Sequence, residues 1–384
     1  MAELAELNAQ LGLELGEGAT EADLEDKVRA STRCASGSPR VCRAGPSGEA
    51  AASRRGERRT LGAADPRSAR RRAERPQVAH RHLPDATTAR AITRRVSLRG
   101  AHALAQGLEE VPPQVLRLGA LETLVLDRNQ LTALPDAIGA LTELRELHVR
   151  HNGLRALPDG LSAGCVKLEG LFVENNKLGA LPSELGSLTQ LKGLIVNRNA
   201  LTALPPSVCA CLALEGLYCD DNRLGELPAD IGQLGALEEL SARHNALSTL
   251  PASIGGLSRL RELRLSHNRL STLPQSVGSL VSLKGLFLDH NRLQTLPVEI
   301  GGLKAVEDVN LESNKIKTLP VTIAHLESLK GLYLENNELQ ALGFAPQTMP
   351  QLRKMSVAGN ALSSAETQRL TDAGIELGAA PVDQ

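Results

Sequence analysis

The chain of 384 residues is poor in aromatic side chains: it has three Phe, two Tyr and no Trp, so its interior has to be filled by Leu, Ile, Val and Ala. The formal net charge of −1 conceals an acidic start (8 acidic and 2 basic side chains in residues 1–31), a basic stretch (17 Arg and 5 acidic side chains in residues 32–99) and an acidic remainder. No run of about 18 apolar residues occurs and the acidic start has no apolar core, so the sequence predicts neither a membrane span nor a secretory signal.

Residues 1–31 form an acidic leader with two candidate short helices. Leucines recur at near-helical spacing from Leu4 to Leu15, and Thr20 is a candidate start for a second helix. Two short helices bury little surface. A marginal or disordered leader and a small helical docking element therefore both remain open.

Residues 32–95 consist largely of Arg, Ala, Ser, Gly and Pro, with few large apolar side chains. We expect this segment to be disordered, because it cannot bury enough surface to offset the entropy of ordering. Its basicity suits a nuclear-import signal, RNA or an acidic membrane surface. It lacks Lys, however, and has no aromatic side chains for stacking on bases. A solvated tail without a partner is the alternative.

The stretch Arg94-Arg95-Val96-Ser97 has the form of a phosphorylation site at Ser97 directed by basic residues. Arg95 to Leu98 also loosely resembles the short docking motif for type-1 protein phosphatase, although that motif normally ends in an aromatic residue. Val96 and Leu98 are better explained as the start of a degenerate N-terminal cap repeat over residues 96–120.

One pattern recurs eleven times between Leu121 and Leu362. Its frame is L-x-x-L-x-L-x-x-N-x-L, and successive asparagines are 23 residues apart except for the 24-residue step from Asn152 to Asn176. A period this regular indicates a stacked repeat architecture. The repeated asparagines are Asn129, Asn152, Asn176, Asn199, Asn222, Asn245, Asn268, Asn291, Asn314, Asn337 and Asn360.

Each repeat predicts one short strand and one convex segment. The x-L-x-L-x stretch alternates apolar and polar residues, which is typical of a strand with one buried face, and successive strands are expected to lie parallel on the concave side. The asparagine amide can satisfy backbone groups at the following turn, so its role is structural. Stretches such as Leu134-Pro135 and Ile138-Gly139 predict an irregular or 3-10 segment, because proline discourages helix in the residue before it.

Residues 363–384 are assigned to a C-terminal cap helix and tail. Ser363 and Glu366 have the spacing of a capping box, Leu370 lies on the predicted helix, and Gly374 is expected to end it.

The frame L-x-x-L-x-L-x-x-N-x-L-x-x-L-P-x-x-I-G-x-L resembles that of the intracellular Ras-group leucine-rich-repeat proteins, over about Val96 to Gly374. The resemblance implies an α/β solenoid, a leucine-rich-repeat horseshoe with a parallel concave β-sheet and short irregular or 3-10 convex segments. It also implies a cytoplasmic, non-enzymatic adaptor in signal transduction whose concave face binds a protein, such as a small GTPase or a phosphatase subunit. No cofactor is implied.

Partner recognition is expected in the strand positions that point outward. At the fourth position before each asparagine stand four of the five aromatic residues of the chain, and every large apolar residue there follows a glycine two positions earlier, except Val125. The recurrent glycine suggests clearance for the neighbouring large side chain or for an approaching partner. Descent from one duplicated repeat is the alternative. The predicted apolar column comprises Phe172, Ile195, Tyr218, Phe287 and Tyr333.

Two more columns complete the predicted binding face. The second position before the asparagine is mainly acidic, which favours a basic protein surface over nucleic acid, although a merely solvated face is the alternative. The position directly before the asparagine holds three consecutive histidines. A zinc site there is conceivable, but a straight ladder is not expected to converge on one point, so no metal is predicted, and a weak pH dependence of binding is favoured instead. The residues assigned to the site from these columns are Glu174, Asp220, Arg243, His244, His267, Asp289, His290 and Glu335.

Cys165, Cys211 and Cys219 occupy repeat positions otherwise held by Leu or Val, which predicts small buried hydrophobic residues. No N-x-Ser/Thr sequon is present, and both features favour a reducing, intracellular compartment, the cytoplasm or alternatively the nucleus.

No phosphate-binding glycine loop, kinase signature or catalytic Cys or Ser is recognisable, so the sequence predicts no enzyme. The leading hypothesis is a protein-binding scaffold, and the second is a nuclear or nucleic-acid adaptor acting through residues 32–95.

Overall fold

The computed structural model describes residues 95–97 and 107–372. The acidic leader, residues 32–94 of the Arg-rich segment, and residues 373–384 with Gly374 lie outside the described residues.

The strands of the described part form a single parallel sheet, in which they follow one another in chain order. From the strand at Thr123 onward, neighbouring strands pair at steps of 23 or 24 residues, whereas the first strand pairs with the second at a step of 28. The strands are β1 (Arg95–Ser97), β2 (Thr123–Val125), β3 (Glu146–His148), β4 (Gly170–Phe172), β5 (Gly193–Ile195), β6 (Gly216–Tyr218), β7 (Glu239–Ser241), β8 (Glu262–Arg264), β9 (Gly285–Phe287), β10 (Asp308–Asn310), β11 (Gly331–Tyr333) and β12 (Lys354–Ser356).

The opposite side of the solenoid is built from short helices. Ten of those in the described residues are 3-10 helices: Val115–Arg117, Asp136–Ala140, Leu185–Ser187, Pro206–Ala210, Ile231–Gln233, Ala252–Gly256, Gln275–Ser279, Val298–Gly302, Val321–His325 and Pro346–Thr348. Eight of these follow a Leu-Pro step, as the sequence predicts, whereas the first follows Val111-Pro112 and the last comes after Leu342-Gly343. The predicted α/β solenoid with 3-10 convex segments is therefore confirmed.

The 24-residue step contains an α-helix in place of a 3-10 helix. Helix α1 (Asp159–Gly164) ends with Cys165 N–H donating to Leu161 O, four residues back, at 3.0 Å. In the 23-residue repeat before it, Leu141 N–H donates to Ile138 O, three residues back. The extra residue thus lengthens one turn from 3-10 to α geometry.

Close approach between repeats explains the glycine of the I-G step. A Cβ atom on Gly232 would overlap the carbonyl oxygen of Ser253 in the next repeat. Only glycine lets these two backbones approach so closely.

The core is one continuous stack of leucines between the sheet and the convex helices. Leu121, Leu124, Leu126 and Leu131 of the first full repeat are each fully buried, and the equivalent residues follow in later repeats. Each repeat therefore covers the apolar face of its neighbour, which is how a solenoid gains stability without a globular core.

The motif asparagines hold the repeats together. Every one of the eleven accepts, on Oδ1, the backbone N–H of the second residue after the preceding asparagine position, at 2.9–3.2 Å, as Asn268 does from Leu247. Asn268 Nδ2 donates to Ala242 O at 2.8 Å and to Leu265 O at 3.0 Å. The predicted structural role of the asparagines is confirmed, because their amides pair with backbone groups of two repeats.

The residue before each asparagine adopts a left-handed backbone conformation from the first repeat to the tenth. Its φ angle lies between 51° and 59°, although none of these residues is glycine. The left-handed region is tolerated best by Asn, Asp and His, and seven of the ten residues are of these types. The column that contains the three histidines is therefore set partly by backbone conformation.

Helix α2 (Ser364–Asp372) closes the C-terminal end. Ser363 Oγ accepts the N–H of Glu366 at 3.2 Å, and Leu370 is fully buried. Glu366 Oε1 also accepts the N–H of Leu342 at 3.3 Å, which ties the helix to the last turn of the array. No helix of the described residues is long and apolar enough to cross a membrane.

Four cysteines lie in the described part, and all are free and buried, so the prediction of buried hydrophobic residues at Cys165, Cys211 and Cys219 is confirmed. Burial raises the pKa of the Cys165 thiol to about 11, and burial together with the nearby Cys209 raises that of Cys211 to about 11. Burial raises the pKa of Cys219 further still.

We expect these three thiols to be unreactive in the native protein. The test uses a variant with Cys34 and Cys42 replaced by serine. A thiol reagent at pH 8 should label Cys165, Cys211 and Cys219 at least about 100-fold more slowly in the native protein than in denaturant, because the thiolate is the nucleophile and is scarce at such pKa values. Peptide mapping would assign the rates. Rates within about tenfold of those in denaturant would show that the thiols are accessible and weakly perturbed.

Candidate protein-binding face

The apolar column lies on the outer face of the strands. Phe172, Ile195 and Tyr218 end three successive strands and are paired in register, so they stand side by side as predicted. Phe287 and Tyr333 are separated by the strand that ends at Asn310. All five side chains are half-buried rather than fully exposed. The column offers partly exposed apolar surface held in fixed positions.

Each aromatic ring of the column folds back over the glycine of its own strand. A Cβ atom on Gly216 would lie 2.8 Å from Cε2 of Tyr218, and one on Gly331 would lie 3.0 Å from Cε2 of Tyr333. The rings of Phe172 and Phe287 lie closer still, with Cε2 at 2.6 Å from a Cβ atom on Gly170 and on Gly285. Clearance for the neighbouring ring is thus confirmed for the aromatic repeats. The same interpretation is wrong for Gly193, where no atom lies within 4 Å of the added Cβ.

Replacing Gly216 with alanine is therefore expected to push the ring of Tyr218 off the strand, whereas Gly193→Ala provides the matched control. With Tyr333→Phe as background, Tyr218 is the only Tyr in a chain without Trp, so its fluorescence is a direct probe. We expect greater quenching by acrylamide in Gly216→Ala and no change in Gly193→Ala. Both variants should stay within about 1 kcal/mol of the parent in unfolding free energy, since side chains on an open face can move. Equal quenching in the two variants would contradict the packing of ring on glycine.

A network of polar side chains that sequence reasoning missed surrounds the ring of Tyr218. The Tyr218 hydroxyl donates to Glu239 Oε2 at 2.8 Å, and Arg264 Nη1 donates to the same oxygen at 3.1 Å. Arg264 also pairs with Glu262 at 2.6 Å, and its guanidinium carbon lies 6.0 Å from the centroid of the Phe287 ring. Burial and then the hydrogen bond to Glu239 raise the pKa of Tyr218, so the phenol stays protonated. The network links both parts of the apolar column.

Two cationic or ionisable side chains contact the ring of Phe172. The His148 ring stacks on it at 4.3 Å between centroids, and the Arg150 guanidinium carbon lies 4.8 Å from its centroid. Arg150 Nε pairs with Glu174 at 3.1 Å. Burial outweighs this pairing and raises the pKa of Glu174. Phe172 is therefore held in place before any partner arrives.

The acidic column is only partly available to a partner. Asp220 Oδ1 accepts the Ser241 hydroxyl at 2.6 Å and the N–H of Arg243 at 2.7 Å. Asp127 is buried, with 3% of its surface exposed, and Asp127 Oδ1 accepts a backbone N–H of the next repeat. Glu335 is half-buried, and no hydrogen-bond partner for its Oε2 atom is present in the described part. The outward orientation expected for the whole column is thus wrong for Asp127, and Asp220 serves the fold as well as the surface.

The three histidines form an exposed stack along one border of the face. The ring centroids of His244 and His267 are 4.1 Å apart, as are those of His267 and His290. Asp289 Oδ2 lies 3.1 Å from His290 Nδ1, and Arg243 stands in the neighbouring column. Donor atoms of His267, Asp289 and His290 lie within 4.8 Å of one another. The third donor comes from the acidic column and not from the histidine ladder, whose three rings stay stacked in line.

Comparison with known proteins supports the repeat assignment. A family model described as a leucine-rich repeat region matches residues 164–273, and a leucine rich repeat model matches residues 258–316 and 281–339. No curated protein sequence matches the chain.

Among solved structures, the crystal structure of a TDR receptor is 28% identical, with a TM-score of 0.60 over 66% of this chain and 45% of that chain. The crystal structure of PEPR1-AtPEP1 is 32% identical, with a TM-score of 0.59 over 66% of this chain and 37% of that chain. An internalin, InlF, from Listeria monocytogenes is 17% identical with a TM-score of 0.58, covers 77% of this chain and 89% of that one, and shares the fold alone. This chain spans less than half the length of the TDR receptor and PEPR1 chains. The repeated frame, the stacked parallel strands and these matches together show that the chain contains a solenoid of leucine-rich repeats.

Proposed function

We propose that the protein is a non-enzymatic scaffold that binds a protein partner on its concave face. The observation that carries this proposal is the apolar column, in which Phe172, Ile195 and Tyr218 stand side by side on the open face of the sheet. A chain with only five aromatic residues places four of them in this column. Aromatic side chains that are held rigid and partly exposed are typical anchors of protein interfaces.

The charges around the column favour a partner with a basic surface. Glu239 and Glu262 flank Tyr218 and Phe287, and Glu174, Asp289 and Glu335 follow in the neighbouring column. An acidic face repels nucleic acid, so a protein is the better partner. By resemblance to the Ras-group proteins, a small GTPase or a phosphatase subunit in the cytoplasm is the candidate partner.

The similarity to PEPR1 supports use of the repeats for recognition. That structure is of PEPR1-AtPEP1, at 32% identity over 66% of this chain. Protein recognition by repeats of this kind is carried by surface positions rather than by the repeat frame. The residues in the apolar column of this chain therefore determine which partner it binds.

A second candidate function is a nuclear or nucleic-acid adaptor. Its basis is the basic segment 32–95, within a stretch of residues 32–99 that carries 17 Arg. Binding through this segment should depend steeply on salt, because Arg contacts with phosphate release counterions. In this arrangement the repeat array would be an accessory domain.

Affinity capture from native lysate distinguishes the two functions. Three baits are compared: the full chain, a chain without residues 32–95, and the concave-face variant, in which Phe172, Tyr218, Phe287 and Tyr333 are replaced by alanine. The scaffold proposal expects partners that are kept by the deletion and lost by the concave-face variant. Partners lost only by the deletion, with a steep salt dependence, would support the adaptor instead. Adding GTP or GDP to the lysate tests whether a retained partner is a GTPase.

A further inference from the structure

We propose that His267, Asp289 and His290 form a binding site for one divalent transition-metal ion of the zinc class at the border of the concave face. The proposal rests on geometry and goes beyond the proposed scaffold function. Each of the three residues offers one donor atom, and these atoms lie within 4.8 Å of one another. Two imidazole nitrogens and one carboxylate oxygen are donors that zinc accepts, with a water molecule as the fourth ligand.

The pair formed by His290 and Asp289 is close to coordination geometry. His290 Nδ1 and Asp289 Oδ2 are 3.1 Å apart. In a tetrahedral zinc site with bonds of about 2.0–2.1 Å, two donor atoms are separated by about 3.3 Å. An ion can thus replace the proton shared by these atoms with little movement. His267 has to turn its ring out of the stack, which its exposure allows.

An outer hydrogen bond fixes the aspartate in position. The hydroxyl of Ser266, which is 7% exposed, donates to Asp289 Oδ1 at 2.6 Å and leaves Oδ2 directed at His290. Hydrogen bonds of this kind orient metal ligands and are part of most metal sites. His267 and His290 share the same left-handed backbone conformation, with φ angles of 57° and 55°.

The charge state of the cluster also suits a cation. Asp289 brings one negative charge, and Glu312 of the next repeat lies close enough to interact electrostatically with it. His244 stacks on the far side of His267 and has Arg243, not an acid, as its chain neighbour. It serves as the control.

The test is a titration of the full chain with ZnCl₂ against a chromophoric chelator, in a variant with Cys34 and Cys42 replaced by serine so that these thiols do not bind zinc. Asparagine is the replacement for each histidine, because it tolerates the left-handed backbone. We expect one zinc ion per chain, with affinity reduced at least tenfold in His290→Asn, His267→Asn and Asp289→Asn. Affinity should stay within about threefold in His244→Asn, and should fall by roughly tenfold in Ser266→Ala.

A second readout is thermal stabilisation, since an ion that binds only the folded chain raises its melting temperature. Zinc should raise it in the parent and in His244→Asn but not in His290→Asn. Absence of stoichiometric binding, or equal affinity in the parent and His290→Asn, would overturn the site and leave the histidines as residues suited to a left-handed turn.

Discussion

Replacing Asn268 with alanine is expected to lower the free energy of unfolding by about 3–6 kcal/mol, because it leaves several buried backbone groups without partners. The lost bonds are those from Leu247 N–H to Oδ1 and from Nδ2 to the carbonyl oxygens of Ala242 and Leu265. Asn268 itself is only 8% exposed, so water cannot readily replace the amide. The measurement is the urea midpoint of the circular dichroism signal.

Asn310→Ala is the control for this change. Asn310 belongs to the outer face and is half-buried, and its side-chain Oδ1 atom accepts the N–H of Glu312 at 3.0 Å. Its replacement should cost no more than about 1 kcal/mol. If Asn268→Ala cost as little as Asn310→Ala, the asparagines would not be the links between repeats that their hydrogen bonds indicate.

Replacing Tyr218 with alanine should weaken binding of the concave-face partner by about 30-fold, the equivalent of an interface anchor worth about 2 kcal/mol. The ring stands between Ile195 and the Glu239–Arg264 pair, so its loss removes both apolar surface and the hydroxyl that orders Glu239. The melting temperature should change little, because the ring packs on the face and not in the core. Binding is measured by calorimetry with a partner recovered from lysate.

Val321→Ala is the matched control on the opposite side of the solenoid. Val321 begins a convex 3-10 helix, and 68% of its surface is exposed. This substitution removes exposed apolar surface without touching the sheet. A partner that binds Tyr218→Ala as tightly as the parent, but loses affinity for Val321→Ala, would move the interface to the convex side.

The fold could be predicted because every repeat carries the same sequence pattern and adopts the same structure. The leucine positions, the asparagine and the Leu-Pro step recur at a fixed period, and each position meets the same neighbours in every copy. The one irregular step, from Asn152 to Asn176, contains the α-helix Asp159–Gly164 within the array. The 24-residue spacing located the irregular repeat but did not indicate that the extra residue is accommodated in an α-helix.

The site was predicted less completely, because its side chains interact across repeats. Nothing in the column pattern reveals that Arg264 reaches both Glu239 and Glu262, or that Tyr218 donates to Glu239. An Arg in the aromatic column, beside acidic residues in the glycine column, was the available signal. Contacts between columns, such as that of Asp289 with His290, need the left-handed turn before the asparagine.

The acidic column shows how a surface pattern can have two causes. Asp220 accepts hydrogen bonds from Ser241 and from the backbone of Arg243, while Glu335 retains a carboxylate oxygen that no group in the described residues pairs with. From the sequence alone, Asp220 and Glu335 are both predicted to belong to an acidic surface. We therefore expect Glu335, rather than Asp220, to be replaceable without loss of stability.

The central claim is that the concave face binds the partner, and the most direct measurement is the dissociation constant of a captured partner for the full chain and for the concave-face variant. We expect the variant to keep its circular dichroism spectrum and to lose at least about 100-fold in affinity, since several anchors are removed together. Equal dissociation constants for the two folded proteins would contradict the claim.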